Sequence, residues 1–405
     1  MKTKAAIENS FKETEIGLIP EDWQVKEFEE CIGKERISRD IKIPQGKYKK
    51  VGRYPIVDQG ANFIAGYTDD KSKLYSGCLP VIVFGDHTRI FKFINFSFSL
   101  GADGTKLIQP KDFLNPKYFY YYLCSLTIES KGYNRHYKYL KEKIIAFPEK
   151  PEQQKISFIL SKIQQAIEQQ EKIIETTREL KKSLMNKLFT EGLHSEEQKE
   201  TEIGLMPKSW RIVKLGDNDI VEVIMGQSPP SSTYNTMKEG IPFFQGKAEF
   251  GDIYPKAKKY CSKPNRIANE GDILLSVRAP VGDVNLSSFI CCIGRGLAAI
   301  RCKDKLNNYF LFNYLLQSKS KIASLGDGST FKAIGKTVVK NIRFPLPERK
   351  KQDEITNIFS NIDKKLSQAE SKKQTLQALF RTMLNQLMTG KVRVKDLDFE
   401  VKENV

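Results

Sequence analysis

Two short runs carry residue types that a base-modifying enzyme could use. A methyltransferase acting on an exocyclic amine grips its flipped base with an (Asp/Asn/Ser)-Pro-Pro-(Tyr/Phe) motif. The chain offers Asn115-Pro116-Lys117-Tyr118 and Ser228-Pro229-Pro230-Ser231. The first lacks the second proline, the other lacks the aromatic, and no glycine-rich methyl-donor loop accompanies either. Both are read as turns. Gly335-Lys336-Thr337 is similar to the end of a phosphate-binding loop, but Thr330 stands where that loop needs its first glycine. No Pro-Asp opens a nuclease motif. The three histidines (His87, His136 and His194) suggest neither a triad nor a metal site, and the seven cysteines show no CxxC spacing. No catalytic or metal-ligating residues are expected.

What the chain does offer is charge. Its 405 residues include 66 Lys and Arg against 49 Asp and Glu, a formal net charge of +17. Such a surplus points to an anionic partner, because neutralising phosphates releases counterions and drives binding. A surplus that serves only solubility is the plainer alternative. No apolar run approaches the ~20 residues needed to span a bilayer, so no membrane contact is expected. Met1 to Ser10 lacks the apolar core of a signal peptide. An odd number of cysteines, two of them adjacent at Cys291 and Cys292, fits reduced thiols in a cytoplasmic protein.

The elements that must position any site are written twice. Thr14-Glu15-Ile16-Gly17-Leu18-Ile19-Pro20, followed by Trp23, returns as Thr201-Glu202-Ile203-Gly204-Leu205-Met206-Pro207, followed by Trp210, at an offset of 187 (201 − 14). Gly77 and the strand-like run ending at Phe84 match Gly271 and the run ending at Val277, at 194 (271 − 77). Tyr137-Lys138-Tyr139-Leu140 matches Phe331-Lys332-Ala333-Ile334 at the same offset. From Gln153/Gln352 the offset is 199 and the pairing runs without gaps to Thr190/Thr389. Offsets that only increase mark an internal duplication.

Each copy ends in a long helix. The first follows Pro148 and Pro151 and carries a stripe of Ile156, Ile159, Ile163, Ala166, Ile173, Leu180 and Leu184. The second follows Pro345 and Pro347, with Ile355, Ile358, Ile362, Leu366, Ala369, Leu376, Leu379, Met383 and Leu387. A helix of ~37 residues is ~55 Å long and needs a partner for its apolar seam. Its own repeat is the nearest candidate. Antiparallel pairing returns the chain to its first domain and gives pseudo-two-fold symmetry.

The TEIG-x-(Ile/Met)-Pro-x-x-Trp segment, the Phe-Pro…Gln-x-x-Ile lead into a long helix, and their duplication resemble the specificity subunits of Type I restriction-modification enzymes, over nearly the whole chain. The resemblance implies an α/β fold, with residues 1–150 and 193–347 as target-recognition domains for double-stranded DNA, each reading half of a bipartite target. Residues 151–192 and 348–390 would be antiparallel coiled-coil spacer helices that set the gap and dock the methyltransferase, with 391–405 a tail. It also implies a non-catalytic chain. S-adenosylmethionine would be held by two modification subunits, and ATP with Mg²⁺ by restriction or motor subunits. Two other classes stay open: a fused restriction-methylation enzyme, which would need the missing motifs, and a structural coiled-coil protein, which the charge and the two dissimilar globular inserts disfavour.

Arginine can bridge guanine O6 and N7, and glutamine adenine N6 and N7, so Arg89, Arg278, Gln227 and Gln245 are candidate base readers at polar turns. Lys106, Arg135, Lys138, Lys247, Arg295 and Lys332 are candidate phosphate contacts, since half or more of protein–DNA hydrogen bonds go to the backbone. His87, Thr88, His136, Ser228, Ser329 and Thr330 belong to the same stretches and complete the candidate set. Arg295, between glycines, has the alternative of a turn residue packed on the sheet. Tyr118 to Tyr122 reads as the core face of a helix, with base stacking as its rival. Trp23 and Trp210 read as anchors, with a methyltransferase interface as theirs.

Overall fold

A computed structural model describes residues 10–33, 41–101, 104–130, 132, 134–326 and 333–398. Ser329, Thr330 and Lys332 lie outside the described residues. The chain divides into two compact units, Met1–Gln170 with Lys372–Val405, and Glu171–Ser371. Each unit therefore holds one globular segment and part of both long helices.

In the first unit the strand Val81–Gly85 pairs antiparallel with Phe91–Ile94 and Thr105–Ile108. A second sheet joins Tyr54–Val57 to Gly66–Thr68 antiparallel and to Ser99–Leu100 parallel. The run Val81-Ile82-Val83-Phe84 has no polar face because the strand is covered on both sides. Ile82 and Phe84 meet the helix Pro116–Ser125, while Val81 and Val83 meet Phe98 and Leu100. The second unit repeats the plan. Ile273–Ser276 lies between Val284–Leu286 and Leu297–Cys302, and Ile241–Phe244 pairs parallel with Cys291–Ile293.

Asn115-Pro116 is not the expected turn. Asn115 caps the helix Pro116–Ser125, its Oδ1 accepting from the N–H of Lys117 at 3.1 Å and of Tyr118 at 2.9 Å. Proline suits the first helical position because that N–H would be unpaired in any case. Tyr118, Tyr121 and Tyr122 are buried in the core, as the core-face reading expects. Asn307 caps Asn308–Gln317 in the same way.

The shared Gln-x-x-Ile is a clamp. Gln153 accepts from Asn115 N–H at 2.7 Å and donates to the carbonyls of Phe113 at 3.1 Å and Pro148 at 2.9 Å. Gln352 accepts from Asn307 N–H at 2.8 Å and donates to Lys305 at 3.1 Å and Pro347 at 2.9 Å. One buried amide thus ties the start of a long helix to the cap of a domain helix, twice over. The TEIG segments are hairpins turning at Gly17 (φ +95°) and Gly204 (φ +106°), where the left-handed backbone suits glycine. Lys12 and Lys199 each donate at 2.7 Å to the carbonyl of the buried tryptophan, Trp23 or Trp210.

The long helices span Lys150–Glu191 and Arg349–Met388. They run in opposite directions: within the second unit Arg178 pairs with Glu370 at 2.6 Å and Lys181 with Asp363 at 2.7 Å. Their seam departs from the expected stripe. Ile174, Lys181 and Met185 are buried along it, whereas Ile173, Leu180 and Leu379 are exposed. Polar Gln170 and Lys181 hold buried positions that an apolar count passes over.

Candidate nucleic-acid interface

Four loop tips of the second unit converge where its strands end. Gly226 N–H donates to Leu297 at 2.9 Å, Gln227 N–H to Ile293 at 3.0 Å, Val277 N–H to Gly296 at 2.9 Å, and Gly296 N–H to Gln245 at 3.1 Å. The backbones lie so close that a Cβ on Gly226 would stand 2.2 Å from the Gly294 carbonyl oxygen, which requires glycine there.

This packing gathers residues far apart in sequence. Gln245, Lys247, Arg278 and Arg295 line one cavity with Ser276 and Ala279. Gln245 is exposed, and its amide is held by Ser228: Nε2 donates to Oγ at 2.8 Å. The same Oγ accepts from Arg295 N–H at 3.2 Å. Arg278 and Arg295 are exposed and form no ion pair among the described residues, and Gln227 is exposed beside them. Lys247 is already engaged, at 2.7 Å from Asp283, which also pairs with Lys319 at 2.5 Å. Burial raises the Asp283 pKa, but the two lysines outweigh it and hold the carboxyl below its ordinary value.

The corresponding loop of the first unit is built inward. Thr88 Oγ1 donates to the Gln59 carbonyl at 2.5 Å, and His87 N–H to Gln59 Oε1 at 3.2 Å. Arg89 turns back, in a left-handed conformation (φ 64°), and Nη1 donates to the Ile128 carbonyl at 2.9 Å. His136 is fully buried and sits 2.9 Å from the Asp86 carbonyl, a strut rather than a surface contact. Asp86 Oδ1 accepts from Tyr137 N–H at 2.7 Å, pinning the short helix Tyr137–Lys141 to the end of the central strand. Arg135 and Lys138 are exposed. Lys106 lies 5.7 Å from the Tyr137 ring centroid.

Gln59 is the residue that sequence reasoning missed. It follows Tyr54–Val57, as Gln245 follows Ile241–Phe244, and its side chain packs on Gly104 as that of Gln245 packs on Gly294. Gln-Gly after a Pro-containing strand in both copies was the available signal.

Burial pushes the Cys31 and Cys292 thiols up to about 11 and Cys291 to about 12. Among the described residues no three His, Cys, Asp or Glu side chains are grouped to hold a metal ion, and no helix is long and apolar enough to cross a membrane.

The family described as the Type I restriction modification DNA specificity domain matches twice, over residues 20–177 and 207–378. The chain belongs to this family. Over 96% of its length it is 38% identical to a chain of Methanocaldococcus jannaschii assigned as the type I restriction enzyme MjaX specificity subunit, covering 98% of that relative. The MjaVIII specificity subunit of the same organism is 27% identical, with 97% and 98% covered. A chain solved in work on assembly and conformational transition of the type I restriction-modification system matches with a TM-score of 0.53 and 25% identity, covering 92% of this chain and 99% of that one. The type I specificity subunit of M. genitalium shares the fold, with a TM-score of 0.62 at 19% identity, covering 90% and 96%. In this family member the duplicated clamps and hairpins are the frame, and the loop tips differ between copies.

Proposed function

We propose that each unit of this specificity subunit reads one half of a bipartite target in double-stranded DNA. In the second unit Gln245, oriented by Ser228, and Arg278 face base edges, while Arg295 lines the same cavity and Gln227 stands exposed on a neighbouring loop tip. In the first unit Arg135, Lys138 and Lys106 contact phosphates beside the His87-Thr88 loop. The carrying observation is the convergence of exposed Gln245, Arg278 and Arg295 on one cavity. The chain itself is non-catalytic: two modification subunits hold S-adenosylmethionine, and restriction or motor subunits use ATP and Mg²⁺. Leu180 and Leu379, exposed at matched positions of the two helices (379 − 180 = 199), belong to equivalent docking surfaces for the modification subunits. The helix pair sets the number of unread base pairs between half-sites.

The test is half-site selection on randomised DNA, with a modification subunit present. Arg278→Ala and Gln245→Ala should relax preference in the same half-site and leave the other intact. If both half-sites relaxed alike, or neither did, these side chains would not be base readers.

A further inference from the structure

After each long helix the chain folds back onto the first turn of the opposite helix, and the two junctions carry inverted charge. In the first unit Arg393, beyond the second helix, is buried between Glu152 at 2.7 Å and Asp22 at 2.6 Å. The Val394 N–H also donates to Glu152 Oε1 at 3.2 Å, and Lys155 donates to the carbonyls of Lys395 and Leu397, both at 2.8 Å. In the second unit Glu196, beyond the first helix, accepts from Lys351 and from Ser209 Oγ, both at 2.7 Å.

The receiving positions are duplicates. Glu152 and Lys351 match at the helix offset (351 − 152 = 199), and Asp22 and Ser209 match at the TEIG offset (209 − 22 = 187). The architecture has been kept while its polarity has been reversed: an acidic notch receives an arginine in one unit, and a lysine notch receives a glutamate in the other.

A second, independent asymmetry lies along the seam. Lys181 and Asp363 form a buried ion pair in the second unit, with the Tyr309 hydroxyl also donating to Asp363. Their duplicates are Phe380 (380 − 181 = 199) and Gln164 (363 − 164 = 199). In the first unit Tyr121 takes the place of the charges, donating to Gln164 at 3.0 Å with its ring 5.9 Å from that of Phe380.

We propose that these inverted pairs are a charge code that assigns each post-helix segment to one notch, so that repeat one pairs with repeat two and rejects another copy of itself. Pairing first repeats from two copies would set Glu196 against Glu152 and Asp22, and Lys181 against Gln164. Pairing second repeats would set Arg393 against Lys351, and Asp363 against Phe380. Either arrangement buries charges beside like charges or beside no counter-ion, which is strongly disfavoured in a protein interior. Both asymmetries therefore select the same pairing. A single polar position in a helix seam can fix partner and register in this way.

Hydrogen exchange on the full-length chain tests the code, read on peptides covering 192–199 and 389–398. Inverting both notches with Asp22→Ser, Glu152→Lys and Lys351→Glu leaves each segment facing like charge, and both peptides should exchange at least tenfold faster than in the wild type. Adding Glu196→Arg and Arg393→Glu restores complementarity, and both peptides should return to within about threefold of the wild-type rate. Peptides covering the central strands 81–85 and 273–276 report whether the units stay folded. Wild-type protection in the notch variant would overturn the proposal. So would a complemented variant, carrying all five changes, that exchanges as fast as the notch variant. If the notch variant does not fold, the complemented variant still decides, since the code requires it to fold and protect both segments.

Discussion

The two units solve one packing problem with the same residues and present different chemistry at their tips. In the first, the loop after the central strand is sewn inward: Thr88 and His87 onto Gln59, Arg89 onto Ile128, and His136 beneath them. In the second, the equivalent loop leaves Arg278 exposed, with Arg295 and Gln245 around the same cavity. Hydrogen bonds that recur in both units, such as those of Gln153 and Gln352, mark what the fold requires. Those found in only one mark what is free to vary. An internal duplication thus separates frame from tips without any second sequence.

The largest effect should come from breaking the frame. In Gln352→Leu the side chain keeps its bulk but leaves Asn307 N–H and the carbonyls of Lys305 and Pro347 without their partner. A buried polar group left unpaired costs about 1–3 kcal/mol, so the variant should lose about 3 kcal/mol or more. The thermal midpoint should fall by several degrees, with Gln153→Leu giving a similar loss. If either variant melted with the wild type, the clamp would contribute nothing to the frame.

Next come the tips, where the units should part. Arg278→Ala removes an exposed side chain, so stability should hold while discrimination at one base falls by about 1–3 kcal/mol. Arg89→Ala removes an arginine already bonded to Ile128, so it should lower the melting temperature and leave half-site preference unchanged. Half-site selection and thermal melting on both variants check the contrast. A change of base preference in Arg89→Ala would mean that its loop opens on DNA.

The helix pair should respond without touching either tip. The first long helix has 42 residues and belongs to both units. Four residues inserted after Ile173 and four after Lys372 lengthen the helix pair by about 6 Å. At about 3.4 Å per base pair the unread gap should grow by nearly two base pairs. Four residues slightly exceed one turn, so affinity should fall as well. Methylome sequencing of cells carrying the variant with its modification subunit reads the outcome. An active variant with an unchanged gap would end the spacer role.

Much of this was legible in the sequence because it depended on local or repeated signals. The duplication, the two helices and the tryptophan anchors rest on periodicity and on residues that recur. What escaped depended on distance. The residues after Gly390 read as a tail because their partners stand far back in the chain: Arg393 meets Glu152 and Asp22, at separations of 241 and 371 residues. His136 read as a polar contact because no local pattern shows that the Asp86 carbonyl would bury it. The helix seam was misplaced at Leu180 because Lys181, buried through its pair with Asp363, looks like a surface residue on its own.

The smallest effect should be a difference between the junctions in acid. Hydrogen bonding to Arg393 holds the Asp22 carboxyl below its ordinary value, more strongly than its modest burial raises it. At Glu196 burial is the largest influence and raises the pKa, yet Lys351 and Ser209 together bring it below the ordinary value. A carboxyl depressed in the folded state stabilises at pH above its unfolded pKa, and that stability is lost as pH falls through the folded value. Both junctions should therefore weaken below about pH 4. Asp22 is half exposed, so its share is about 1 kcal/mol or less after solvent screening. Melting temperatures of the wild type and Asp22→Asn, taken from pH 7 to pH 3, check this. The gap between the two proteins should be widest at neutral pH and should close as Asp22 itself becomes protonated. A gap that stayed constant down to pH 3 would mean that Asp22 acts through hydrogen-bond geometry alone, and that its own charge contributes nothing to holding the C-terminal segment.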